Sequence, residues 1–173
     1  MILVRQRRPS DYGALFELFN EPAFQRGAMT REPFASKEEL ALWFQMLATY
    51  KLELVAEDAG EVIGFGLLAL LDGARIEHGG WVILGVRETH HRRGVATGLL
   101  ETLLAAAKDT YGLHRVYLNV FADNEPAVRL YEKHGFRIEG THRDFLWRDS
   151  GFVDAYTMAK IFGANAPDKT GRS

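Results

Sequence analysis

The apolar positions of this chain follow two periods. Short apolar runs bounded by glycine and aspartate turns predict strands, and apolar residues three and four apart predict helices. Ile2 to Arg5 reads as a first strand. Pro9-Ser10-Asp11 opens a helix through about Phe19, with Leu15, Leu18 and Phe19 as its stripe. Asn20 to Ala35, interrupted by Pro22, Gly27 and Pro33, reads as irregular. Ser36 and Glu39 form a capping box, so a second helix runs to about Thr49 with Leu40, Trp43, Phe44 and Leu47 inward. Leu52 to Glu57 and Val62 to Leu71 are strands around Asp58-Ala59-Gly60; Gly64 and Gly66 mark a bulge or close packing. Asp72-Gly73 turns into a strand over about Arg75 to Val86.

The remaining pattern repeats this alternation. Leu99, Leu100, Leu103, Leu104 and Ala107 stripe a helix that Tyr111-Gly112 stops. Arg115 to Phe121 is a strand with Val116, Leu118 and Val120 on one face, and Asn124 to His134 is a helix. Strands follow over about Phe136 to Trp147 and Phe152 to Ile161, around Asp149-Ser150-Gly151. The order β-α-α-β-β-β-α-β-α-β-β predicts one α/β domain over residues 1–162. Small polar residues over 163–173 predict a flexible tail.

Composition narrows the chemistry. Hydrophobic residues make up 47% of the 173 positions, enough for a packed core without metals or disulfides. There is no cysteine, which removes thiolate nucleophiles and zinc-thiolate sites and fits a reducing compartment. The formal charge of −2 gives no reason to expect nucleic acid as a partner. No apolar run approaches membrane-spanning length and the N-terminus lacks a signal-peptide core, so a soluble cytoplasmic protein is expected. No metal-binding spacing is present; His90-His91 is better explained as an exposed helix start.

The stretch WVILGVRETHHRRGVATGLLETLLAAAK, Trp81 to Lys108, carries the main chemical signal. A strand, a basic turn and a helix follow one another. Such a turn aims the free N–H groups of the first helical residues at an anion, and the helix dipole adds to the attraction. Gly94 and Ala96 let a phosphate approach the backbone, and Arg92 and Arg93 add charge. The Walker loop and the dinucleotide fingerprint both need spacings absent here. His91-Arg92-Arg93-Gly94-Val95-Ala96 instead resembles Q/R-x-x-G-x-G/A, the pyrophosphate loop of the GNAT N-acetyltransferases. His91 departs from it at the first position. Asn124 to Phe136 is similar to that family's second motif, N-x-x-A-x-x-L-Y-x-K-x-G-F. Asn124 and Pro126 suit a helix start, Ala127, Leu130 and Tyr131 share a face, and Gly135 suits a C-terminal cap. The resemblance covers roughly Ile2 to Ile161. Leu118 onward, with VDAYTMAK, looks closest to the bacterial branch of L-amino-acid and phosphinothricin-type N-acetyltransferases.

This resemblance implies a GNAT fold: a mixed, mostly antiparallel sheet flanked by helices, with one splayed parallel strand pair. It implies acetyl-CoA as cofactor. The pantetheine would lie along Leu84, Gly85 and Val86, and the pyrophosphate on the turn from His91 through Arg92, Arg93, Gly94, Val95, Ala96 and Thr97, with Asn124 and Tyr131 beside the cofactor. Tyr131 would serve the leaving thiolate. The attacking amine must lose a proton, and Glu77 and His78 are the candidates at the start of the splayed strand, with solvated strand-end residues as the plainer alternative. Phe24, Met29 and Phe34 in the early loop, with Phe145, Trp147 and Tyr156 in the last hairpin, are candidates for an apolar acceptor wall. Arg26, Arg31 or Arg143 could hold a carboxylate. The expected substrate is a small-molecule amine, an L-amino acid or analogue, and the expected assembly is a homodimer. Polyamine acetylation would call on Glu21, Glu32, Glu38 and Glu39; a non-catalytic acetyl-CoA-binding module is the alternative of a different class.

Overall fold

The computed structural model describes residues 1–27, 33–46 and 51–163. One seven-stranded sheet runs in the order β1-β2-β3-β4-β5-β7-β6. Its strands are β1 (Leu3–Gln6), β2 (Lys51–Asp58), β3 (Glu61–Leu70), β4 (Gly79–Val86), β5 (Arg115–Phe121), β6 (Arg137–Arg148) and β7 (Gly151–Ile161). All neighbours are antiparallel except β4 and β5. The helices are α1 (Tyr12–Asn20), α2 (Pro22–Gly27), α3 (Lys37–Met46), α4 (Val95–Ala105) and α5 (Glu125–Lys133).

Strand alternation divides the core in two. On one face, Leu99, Leu100 and Leu103 of α4 and Tyr131 of α5 pack on Leu54, Ile63, Leu68, Val116 and Leu118. On the other, Leu15, Leu18 and Phe19 of α1 and Leu40 and Phe44 of α3 pack on Val55, Phe65 and Leu67. β3 is therefore buried on both faces, which explains its nearly continuous apolar run. Its glycines serve close packing: a Cβ at Gly64 or Gly66 would meet Leu99 or Leu103 at 3.1 Å. A register shift between Ala56 and Glu57 adds an irregularity opposite Gly64.

The structure departs from the apolar pattern in two places that bear on function. Within the stretch read as irregular, Pro22 opens the short helix α2, since its ring needs no N–H at a first helical position. The strand expected from Arg75 begins at Gly79. Gly73 O instead accepts from both Ile76 N and Glu77 N, so residues 73–78 form a turn. The capping box before α3 forms: Ser36 Oγ accepts from Glu39 N at 3.2 Å, while the Glu39 carboxylate takes Ala35 N at 2.7 Å. Leu47, Thr49 and the tail over 164–173 lie outside the described residues.

One buried ion pair fixes α1 against the sheet. Arg5 of β1 donates both Nη groups to Asp11, at 2.8 and 2.9 Å, and its Nε to Glu57 at 2.8 Å. Arg8 N adds a bond to Asp11 at 2.7 Å. The Arg5 hydrogen bonds hold the Asp11 carboxyl below its ordinary value, against the opposing effect of burial. Asp11→Asn should cost about 2–3 kcal/mol at neutral pH, because Arg5 would keep Glu57 as its one carboxylate partner. A carboxyl depressed on folding stabilises above its unfolded value, 3.8, and loses that contribution as pH falls through its lower folded value. Urea melts of both proteins should therefore differ at neutral pH and converge in acid. An unchanged gap across that range would contradict this assignment.

Candidate functional site

The site begins where β4 and β5 part. They pair only at Gly79 with Arg115, Gly80 with Val116 and Trp81 with Tyr117. Beyond Trp81 each strand stays paired on its outer side, β4 with β3 to Val86 and β5 with β7 to Phe121. The gap is thus held open by complete ladders on both flanks. Unpaired backbone groups inside a sheet are costly unless a ligand takes them. A cavity of about 420 Å³ occupies the gap, with Ile83 to Val86 on one bank and Asn119 and Val120 on the other. A larger depression, about 690 Å³, lies elsewhere between Arg5, Asp11, Glu17 and Arg87; its cations are already paired, Arg5 with Asp11 and Arg87 with Glu21.

The turn after β4 closes one end. His91 Nε2 donates to Val86 O at 3.0 Å, which pins the turn to the strand and occupies that carbonyl. Arg92 takes a φ of 59° and Gly94 a φ of 79°, and Gly94 is the N-cap of α4. A left-handed conformation at the N-cap suits glycine, and a Cβ there would meet nothing within 4 Å. The open space lies in front of the first N–H groups of an 11-residue helix. Arg93 is committed to Asp58 at 2.9 Å. Arg92 is exposed and makes no hydrogen bond or ion pair with a described residue, so of the two arginines in this turn it is the one free to meet an anion.

α5 supplies the other bank. Asn124 Oδ1 accepts from Ala127 N at 3.3 Å and starts the helix. About two turns on, Tyr131 is 7% exposed, packs on Phe136 with ring centroids 5.7 Å apart, and reaches the cavity. Its hydroxyl makes no hydrogen bond to a described residue. Burial pushes the phenol up to about 12, so it stays protonated at any working pH and can donate a hydrogen bond into the cavity.

A model of the acetyltransferase (GNAT) family matches residues 12–136. The chain belongs to the GNAT acetyltransferase family. It is 30% identical over 162 residues to the L-amino acid N-acetyltransferase AaaT of Escherichia coli strain K12, spanning 92% of this chain and 98% of that protein. A GNAT acetyltransferase from Streptococcus pneumoniae shares its fold with a TM-score of 0.81 at 26% identity, over 94% of this chain and all of the other. The acetyltransferase yncA of Salmonella typhimurium, solved with its cofactor acetyl-CoA, reaches a TM-score of 0.83 at 19% identity, over 98% and 99% of the two chains.

This GNAT chain is an acyltransferase, and its cofactor is acetyl-CoA. The residues present fit that group. The Gly94 turn offers an unobstructed helix start for phosphates, and the parted strands offer a slot for an extended amide-bearing arm. Leu84, Gly85, Val86, His91, Asn124 and Tyr131 all line the cavity; Arg92 to Thr97 form the turn and helix start beyond it.

The acceptor side is only partly as expected. Phe24 of α2 lies directly over Gly85, where a Cβ would come within 2.0 Å of its ring. That close approach requires glycine on β4, and it makes Phe24 a wall of the cavity together with Trp81, Ile83 and Phe145. α2 is fastened from outside: Arg26 pairs with Asp149 at 2.7 Å, and Arg148 donates to Arg26 O at 2.6 Å while also pairing with Asp123. Phe34 is buried among Phe19 and Trp43, Trp147 is exposed on the hairpin, and Tyr156 packs beside the α4–α5 core; none lines the cavity. Glu77 and His78 sit in the turn before β4, at the closed end of the strand pair, and do not line it either. Met29, Arg31 and Glu32 lie outside the described residues. The sequence reading missed Asn119, Gln25 and Trp81 as lining residues; the alternation that placed Leu118 and Val120 on one face of β5 already put Asn119 on the other.

Two substitutions should separate the turn from the tyrosine. Gly94→Asp strains φ and sets a carboxylate before the helix start, so acetyl-CoA affinity should fall at least about tenfold by calorimetry. Tyr131→Phe should leave that affinity within about threefold yet lower kcat by about ten- to a hundredfold, since the contact strengthens as charge develops. Unchanged affinity in folded Gly94→Asp, or unchanged kcat in Tyr131→Phe under conditions where chemistry limits the rate, would remove the assigned role.

Proposed function

We propose that this enzyme transfers the acetyl group of acetyl-CoA to the primary amine of an L-amino acid or a close analogue, with both substrates bound together. The observation that carries this reading is the character of the cavity. Its acceptor end is walled by Phe24, Trp81, Ile83 and Phe145, and among the described lining residues there is no aspartate, glutamate, lysine or arginine. A polyamine would bring a second ammonium to a surface with no countercharge, which is unfavourable without a partner. Of the acidic residues that would suit a polyamine, Glu21 is paired with Arg87, and Glu38 and Glu39 start α3. The relative AaaT, similar over nearly its whole length, acts on L-amino acids by its name, and this supports the same class here.

Bound acetyl-CoA supplies a thioester whose acetyl carbon is open to attack by an amine. The chain's own part is to hold the reactants and manage charge. α2 and β4 enclose the acceptor, and the buried neutral phenol of Tyr131 donates to the sulfur as it gains charge. No carboxylate faces the cavity among the described residues, and His91 is committed to Val86 O. In this reading the ammonium proton leaves to water, and Glu77 and His78 act at most through solvent.

We propose a cytoplasmic location for this activity; no helix among the described residues is long and apolar enough to cross a membrane. The homodimer expected from the family is proposed to form through the β6–β7 hairpin. There Trp147 of β6, the edge strand of the described sheet, and Phe152 of the adjacent β7 form an edge-to-face pair at 4.8 Å, each 62% exposed. Light scattering should give twice the chain mass, and Trp147→Asp should give a folded monomer. A monomeric wild type at micromolar concentration would end the proposal.

The substrate reading is tested by kcat/KM for methionine, alanine and spermidine measured side by side. With roughly 0.8 kcal/mol per buried methylene, methionine should exceed alanine by more than about tenfold. Spermidine should be the poorest of the three. If spermidine is best, the polyamine reading replaces this one.

A further inference from the structure

One polar residue faces the acceptor end with its bonding already arranged. Asn119 stands on β5 two residues past the last β4–β5 pair, opposite in facing to the buried Leu118 and Val120. It therefore shares the α1–α2 side of the sheet with Trp81, Ile83 and Phe24. Its direct neighbour on β7 is Thr157. Thr157 Oγ1 donates to Asn119 Oδ1 at 2.8 Å, and His142 Nε2 of β6 lies 2.8 Å from the same Thr157 oxygen.

The direction of this row follows from counting protons. The threonine hydroxyl has one proton and gives it to Asn119. Its oxygen can then only accept, so His142 Nε2 carries the hydrogen. Donation runs from β6 through β7 to β5 and ends on the Asn119 carbonyl. With its carbonyl already accepting from Thr157, the part of the Asn119 side chain left without a partner is its NH₂ group, a pair of donors. Other polar side chains at the cavity are engaged differently: Gln25 Nε2 donates to Phe19 O at 2.6 Å, and Asn124 Oδ1 holds the start of α5.

An amide whose carbonyl is already engaged and whose NH₂ is free suits an oxygen anion better than an ammonium. We propose that Asn119 binds the carboxylate of the acceptor, with Thr157 and His142 as positioning residues that present its amide. This rests on the amino-acid reading above and supplies a recognition group for the carboxylate where, among the described lining residues, there is no arginine. Arg26 is paired with Asp149, and Arg143 is exposed and absent from the lining.

The test compares kcat/KM for methionine and for its decarboxylated amine, 3-(methylsulfanyl)propylamine, in wild type, Asn119→Asp, Thr157→Val and Thr157→Ser. Wild type should prefer methionine. Asn119→Asp keeps the shape and the Thr157 bond but turns an oxygen to the cavity, so the methionine-to-amine ratio should fall at least about thirtyfold, mainly through KM for methionine. Thr157→Val should lower the ratio by a smaller factor, about three- to tenfold, and Thr157→Ser should restore it. Acetyl-CoA affinity, read by calorimetry, reports that each variant is folded; if Asn119→Asp fails that control, the Thr157 pair decides. A wild type that does not distinguish the two acceptors overturns the amino-acid reading and this inference with it. A wild type that prefers methionine, with variants that keep the wild-type ratio, overturns the role of Asn119 alone.

Discussion

The parting of β4 and β5 is the constraint on which the rest of the molecule depends. Three residue pairs join the strands, and then the ladder stops. A sheet interrupted at its centre would ordinarily close or fray, since its inner N–H and C=O groups have no partners. Here it can do neither. β3 holds β4 along its whole length, β7 does the same for β5, and α4 and α5 brace one face with a leucine-rich core. The stability of the flanks is what makes an unfinished centre tolerable, and the unfinished centre offers unpaired backbone groups that fit an amide-bearing cofactor.

Each face of that gap then has its own task. The turn at Gly94 and the phenol of Tyr131 both belong to the α4–α5 side, while Phe24 and Asn119 belong to the α1–α2 side. Burial acts on the two sides differently. At Tyr131 it keeps a hydroxyl protonated and available. Opposite, it leaves an aromatic wall that rejects unpaired charge.

How much of this could be seen in the sequence depended on how local each feature is. The Gly94 turn was legible because strand, glycine and helix lie next to one another, and the same holds for Asn124 capping α5. α2 was hidden because Pro22 and Gly27 look like breaks; only the observed turn shows that Pro22 begins a helix and Gly27 ends it. The start of β4 was misplaced because Ile76, an apolar residue exposed in the turn, continues the apolar pattern without being part of the strand. Aromatic identity did not reveal facing: Phe34 and Tyr156 satisfy the core, and Phe145 faces the gap. Asn119 depends on Thr157, 38 positions later in the chain and adjacent only once β5 and β7 pair.

The ring of Phe24 resting on Gly85 has an evolutionary consequence. The wall it forms is carried by a six-residue helix that is pinned from outside by Arg26 and Arg148 and shares no bond with the Gly94 turn. Mutations in α2 can reshape what the gap accepts while the surfaces that grip the cofactor stay as they are. On the proposed assignment the scaffold keeps donor binding and acceptor choice on separate elements, so the amine accepted is open to change while the hold on acetyl-CoA is conserved.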